Sequence, residues 1–246
     1  MRFTNWYITL AAGLLLLSAI SYLTQIYLFH KVEDTLFYML QDLSFVPVQV
    51  LIVTLILDRL LKKREKQALL EKMNMVIGVF FHEVGNDLIK DFTAVTGNFK
   101  EISDQLKILT DWKEKDFPEK MNNFRITPDR IIFDSDRISI IKEFLTSKRD
   151  AILKLLANPN LLEHDTFTDL LWAVFHLSDE LFHRKSFTDL PQADIDHLKG
   201  DMVRSYMLIA YEWLSYMKHL KKDYPYLYSI AVRTNPFNPE AVITVT

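Results

Sequence analysis

The sequence predicts an all-α protein: two transmembrane helices followed by a cytoplasmic helical bundle, with the second span continuing into a long stalk helix. Three observations predict it. Phe3 to Phe29 is a run of 27 residues without a charge, and Leu43 to Leu57 is a second of 15. At about 1.5 Å of rise per residue the first exceeds a hydrocarbon core of about 30 Å. Beyond the second run, apolar residues recur at three- and four-residue spacing, the period of amphipathic helices, with no convincing period-two alternation and hairpin turns before the tail.

The first span is expected over about residues 5–29. A secretory signal peptide is the competing reading, but its apolar region is about 7 to 15 residues and ends at small residues, unlike Ser21-Tyr22-Leu23-Thr24-Gln25. The second uncharged run is short for a span and must be extended. Either its helix begins near Leu36 and carries Asp42, or Thr35 to Asp42 lies along the interface and a new helix starts near Phe45 and runs to Leu61. Pro47 favours the latter, because proline is tolerated in a first helical turn and kinks an interior; the second span is therefore expected over about 43–61.

Arg59, Lys62, Lys63, Arg64 and Lys66 follow this span closely, whereas the loop between the spans has Lys31 against Glu33 and Asp34. By the positive-inside rule the basic end, and with it both termini, faces the cytoplasm. The cluster also lies where it would meet anionic headgroups. Ser18, Ser21, Tyr22 and Gln25 form one polar face on the first span, and Gln49 lies in the second. That face is expected to hydrogen-bond between the spans, between subunits, or along an aqueous path. Asp42 adjoins the uncharged run of the second span and is a functional candidate if it lies within the bilayer.

The organisation expected is a membrane anchor over 1–61, a basic juxtamembrane stalk over 62–72, a cytoplasmic α-helical domain over 73–237 and a tail over 238–246. The stalk interrupts the apolar stripe, so a sustained coiled coil is not expected. A helix should continue from the span through Met73, Ile77, Phe80, Val84, Leu88, Phe92 and Val95 to a stop at Gly97-Asn98. Further helices are expected from Phe99 to Trp112, from Ser135 to Ala157, from Asp165 to Arg184, after Pro191 to about Asp223, and from Tyr226 to Val232, with an irregular, Pro-containing connector through Pro118 and Pro128. The helix after Asp165 places Phe167, Leu170, Leu171, Val174, Phe175, Leu181 and Phe182 on its apolar face.

Composition narrows function further. Twenty-nine Lys+Arg against 32 Asp+Glu give a net charge of −3, without the cationic excess of a nucleic-acid binder. The absence of cysteine removes thiolate chemistry, disulfides and zinc ribbons. Five glycines cannot form GxGxxG or a P-loop. No nucleophile, base and orienting group share a recognisable spacing, so no catalytic residue and no cofactor are expected. The expected partners are the lipid bilayer and a second protein or another copy of the chain.

One constellation could take a metal. His176, Asp179, Glu180 and His183, within HLSDELFH, lie opposite the apolar stripe and could offer ligands from one surface; the competing reading is a solvated or inter-helical polar face. The spacing departs from HExxH and from the paired ExxH of di-iron bundles. Asp201, Glu212 and His219 form a similar, weaker stripe.

Around His82, the stretch Phe80 to Leu88 (FFHEVGNDL) resembles the phosphoacceptor box of sensor histidine kinases. The box usually has proline where Asp87 stands, and no ATP lid follows, so an exposed polar helix face is expected there. Three longer stretches, Asp42 to Leu61, Asn158 to His176 and Tyr224 to Phe237, together resemble a group of uncharacterised prokaryotic integral membrane proteins with two spans and a helical cytoplasmic region. That resemblance implies an architecture and a location in the cytoplasmic membrane, and no activity.

The resulting expectation is a non-enzymatic interaction or signalling module tethered to the membrane. An oligomeric channel or transport component and a metal-dependent enzyme are the alternatives.

Overall fold

A computed structural model of the protein describes residues 2–97, 99–159, 161 and 164–244. The described chain is helical, and among its residues the β pairing is a single bridge between Thr96 and Ile131. Asn98, expected at a helix stop, lies outside the described residues, as do Asn160 and the end of the tail. The chain divides into two compact units, Met1–Lys66 and Gln67–Thr246.

In the first unit, α1 (Arg2–Phe29) and α2 (Val32–Phe80) are joined through His30 and Lys31. His30 takes a positive φ of 52°, and its N–H still bonds back to the Ile26 carbonyl. Both the backbone N–H and the hydroxyl of Thr35 then donate to the Lys31 carbonyl, closing the first turn of α2. The expected start of a new helix near Phe45 is corrected by this turn. The helix begins at Val32, Thr35 to Asp42 is part of it, and Pro47 sits in its interior. Proline deletes one intrahelical N–H bond, and the helix runs on because its neighbouring turns remain bonded. Both helices are long and apolar enough to cross a membrane, by length and composition.

The second unit has a core of its own. At the end of α2 the backbone widens into a π turn, Phe81–Gly85, before α3 (Asn86–Ala94), where the sequence suggests an unbroken helix. The extra residue brings both Phe80 and Phe81 into the core. Phe80 meets Phe167 edge-on at 5.4 Å, and Phe81 stacks on Tyr216 at 5.6 Å. Gly85 is required by this packing: a Cβ there would lie 2.5 Å from Phe81 Cδ1.

The helix expected from Phe99 to Trp112 is shorter, α4 (Phe99–Leu106), because Trp112 leaves it to pack on Phe117 at 5.2 Å. The connector expected to be irregular contains α5 (Asp116–Asn123), whose first carboxylate accepts the Lys113 N–H at 2.6 Å. The main layer then follows as α6 (Ser135–Leu156), α7 (Asp165–Phe182), α8 (Gln192–Asp223) and α9 (Pro225–Arg233). Asp134 caps α6 by accepting from Asp136 and Arg137 N–H, and His164 Nδ1 accepts from Phe167 N–H at the start of α7. Leu170, Leu171, Val174, Leu177 and Leu181 of α7 are fully buried against the neighbouring helices. The expected apolar face needs two corrections: Phe182 is 49% exposed and Phe175 only partly buried, because both rings carry the Arg149 guanidinium. Beyond α9, Phe237 returns to the core against Trp213 at 5.1 Å, so that Tyr224 to Phe237 closes the bundle.

Candidate functional site

The polar residues of α7 do not form one solvated surface. Asp179 turns towards α6 and pairs with Arg149 at 2.6 Å. His183, at the end of α7, folds back so that its Nδ1 lies 2.8 Å from the Asp179 carbonyl. Neither joins His176 and Glu180, so the four-residue set expected from one helix is divided.

What His176 and Glu180 meet instead is α8. The two helices run antiparallel from a short connection, in a register that sets His176 opposite Asp201 and Glu180 opposite His197. His176 and His197 Nε2 each lie 3.3 Å from Asp201 Oδ2. Glu180 approaches them at 4.0 Å from His176 and 3.8 Å from His197. The histidines are half exposed, whereas the Asp201 side chain is 5% exposed and its Oδ2 accepts no aligned hydrogen bond. His176, Glu180 and His197 each offer a ligand atom within 4.8 Å of the others.

An arginine holds one oxygen of each carboxylate. Arg184 donates to Glu180 Oε2 at 2.7 Å and forks onto Asp194 at 2.6 and 3.0 Å. Arg204 reaches Asp201 Oδ1 at 3.5 Å. Its hydrogen bond from Arg184 holds the Glu180 carboxyl below the usual range, so this group is ionised and available as a ligand.

His197 was not legible from a single-helix reading, yet a signal exists. His176 and Glu180 are four apart on α7, and His197 and Asp201 are four apart on α8, so two His-x-x-x-carboxylate pairs face one another across the hairpin. The reading of Asp201, Glu212 and His219 as a weak surface stripe is corrected: Asp201 is 4% and Glu212 1% exposed, because α8 packs on more than one side. Burial raises the Glu212 carboxyl, against the opposing pull of Thr166 and His164.

His82 is exposed, as expected, and lies with Glu83, Tyr216 and His219 along a groove of roughly 460 Å³. Glu83 faces Lys148 at 3.5 Å. In the first unit, Tyr22 donates to Asp42 Oδ2 at 3.3 Å, while Ser21 bonds to the Leu17 carbonyl of its own helix. Gln25 is part-buried; Ser18 and Gln49 are exposed, as are Arg59, Lys62, Lys63, Arg64 and Lys66. Lys62 pairs with Asp58 at 2.9 Å.

Comparison with known proteins agrees with this division of the chain. Residues 69–233 match the family described as "Uncharacterized protein MJ1433, C-terminal helical domain", and residues 2–61 match "MJ1433, N-terminal helical domain". The chain is 41% identical over 243 residues to the uncharacterized protein MJ1433 of Methanocaldococcus jannaschii, covering 99% of this chain and 98% of that relative. No solved structure matches. With both of its helical regions matched and a relative similar along nearly its whole length, the chain belongs to the uncharacterised MJ1433 family.

Proposed function

We propose that the protein is an integral cytoplasmic-membrane protein whose two N-terminal spans tether the helical domain of residues 67–246 to the inner face as a non-enzymatic interaction or signalling module. One observation carries this reading: in the candidate spans, none of the most apolar 18-residue stretch of either helix is buried within the protein. Such surface needs an apolar surround, and lipid supplies it along both helices. The exposed basic cluster from Arg59 to Lys66 supports an orientation with the helical domain on the cytoplasmic side. The partners are then the bilayer and a protein, whether a different one or another copy of the chain.

The chain has no cysteine, so single cysteines can be labelled without background. With Glu33→Cys, a membrane-impermeant maleimide should react in intact cells; with Glu65→Cys, it should react only after lysis. Equal labelling of both in intact cells, or release of the chain by alkaline carbonate, would refute the two-span reading.

A further inference from the structure

We propose that His176, Glu180, His197 and Asp201 bind one divalent first-row transition-metal ion, with zinc the best match to their geometry. This inference is independent of how the chain meets a membrane, since all four residues belong to α7 and α8.

The geometry comes first. Around a tetrahedral ion with bonds of about 2.0–2.2 Å, neighbouring ligand atoms stand roughly 3.3–3.6 Å apart. Asp201 Oδ2 lies 3.3 Å from both imidazole Nε2 atoms. Glu180 Oε1, the oxygen that Arg184 leaves free, lies 4.0 Å from His176 Nε2, and Glu180 offers a ligand atom within 4.8 Å of both histidines.

A second observation concerns the buried carboxylate. Asp201 Oδ2 is buried and accepts no hydrogen bond, although two nitrogens stand near it. A buried carboxylate oxygen flanked by two nitrogens that are not aligned to donate to it is satisfied by a cation placed between the four side chains. The second carboxylate oxygens are already occupied by Arg184 and Arg204, which orients the ligands from outside. With neutral imidazoles, the two ligating carboxylates balance a dication. Two imidazole donors select a zinc-like ion over magnesium or calcium, which prefer oxygen alone. Four protein ligands from two helices make a closed site that clamps α7 to α8 across their connection.

The test uses the full chain purified in mild detergent, stripped with a chelator, loaded with zinc and freed of excess metal on a desalting column. Elemental analysis should find one zinc per chain. Cobalt loaded in its place should show the intense visible absorption of a tetrahedral centre. His176→Ala with His197→Ala should weaken zinc binding by more than about 100-fold, since outer-shell changes alone cost about 10- to 100-fold. His183→Ala should leave it unchanged. Circular dichroism monitors folding, and both replaced histidines are half exposed, so their loss opens no core. Substoichiometric zinc, the weak spectrum of octahedral cobalt, or undiminished binding by the folded double variant would overturn the site. If that variant does not fold, the wild-type cobalt spectrum decides alone.

Discussion

Leu14 to Leu17 on α1 and Leu170, Leu171 and Leu177 on α7 are the same residue in the same backbone conformation with opposite surroundings. The first four are between 60% and 72% exposed, and the other three are 0% exposed. The difference is written around the helix rather than at the leucines. Helix α7 carries Asp169, His176, Asp179 and Glu180 on the flank away from its leucines, so its buried stripe is bounded by charged and polar side chains. Along α1 from Phe3 to Phe29 there is no charge on any side. A helix uncharged on every side, with apolar residues well beyond its one polar face at Ser18, Ser21, Tyr22 and Gln25, cannot bury them all by packing one stripe. Both segments are helical, which shows that helix formation and burial are separate outcomes of the sequence.

The largest test of that contrast is truncation of a core side chain in the second unit. Trp213→Ala removes a ring that is 1% exposed and packs on Phe237, and should destabilise the second unit by about 3–5 kcal/mol. Leu15→Ala, at 72% exposed, should change the same transition by less than about 0.5 kcal/mol. Denaturant titration of the full chain in mild detergent, followed by circular dichroism, reads both. A comparable loss at Leu15 would break the comparison, because it would mean that α1 is packed against protein.

Much of this fold is legible in the residues. The periodicity predicts α6, α7 and α8 to within a residue or two at most of their ends, because each has a clear apolar stripe and an identifiable start or stop: Asp134 as a cap, Asp165 after a Pro-containing break, Pro191 before α8. The π turn is not legible, because nothing in the local spacing of Phe80 and Phe81 distinguishes it from a continuous α-helix. That choice depends on Tyr216 and Phe167, far along the chain. The site is half legible for the same reason. His176 and Glu180 follow from spacing on one helix, whereas His197 and Asp201 become their neighbours only through the antiparallel register of α7 and α8. Asp201 and Glu212 read as surface residues because burial on more than one side of α8 is a tertiary fact.

Glu212 sharpens the contrast in the opposite direction, since here the polar group is the one held in the core. Burial raises its carboxyl in the folded chain above the ordinary 4.5, so the folded state favours the protonated form. A raised folded value means that this stability is present in full below the unfolded value and is lost as pH rises through the folded one. Glu212→Gln, neutral at every pH, should therefore have nearly the wild-type denaturation midpoint near pH 4 and a higher one at pH 7. A wild-type midpoint that rises from pH 4 to pH 7 relative to the variant would reverse the sign and show Glu212 to be stabilised as a carboxylate.

The smallest effect belongs to the first unit. Tyr22→Phe deletes the 3.3 Å hydrogen bond to Asp42 and leaves the ring in place. Hydrogen bonds between helices in membranes average about 0.6 kcal/mol and reach about 1.7, because the separated helices find other partners for their polar groups. A loss near the lower figure, measured as resistance of the hairpin to dissociation by denaturing detergent, is expected if the bond only registers α1 against α2. A loss beyond the upper figure would mean that Asp42 has no other donor once Tyr22 is gone.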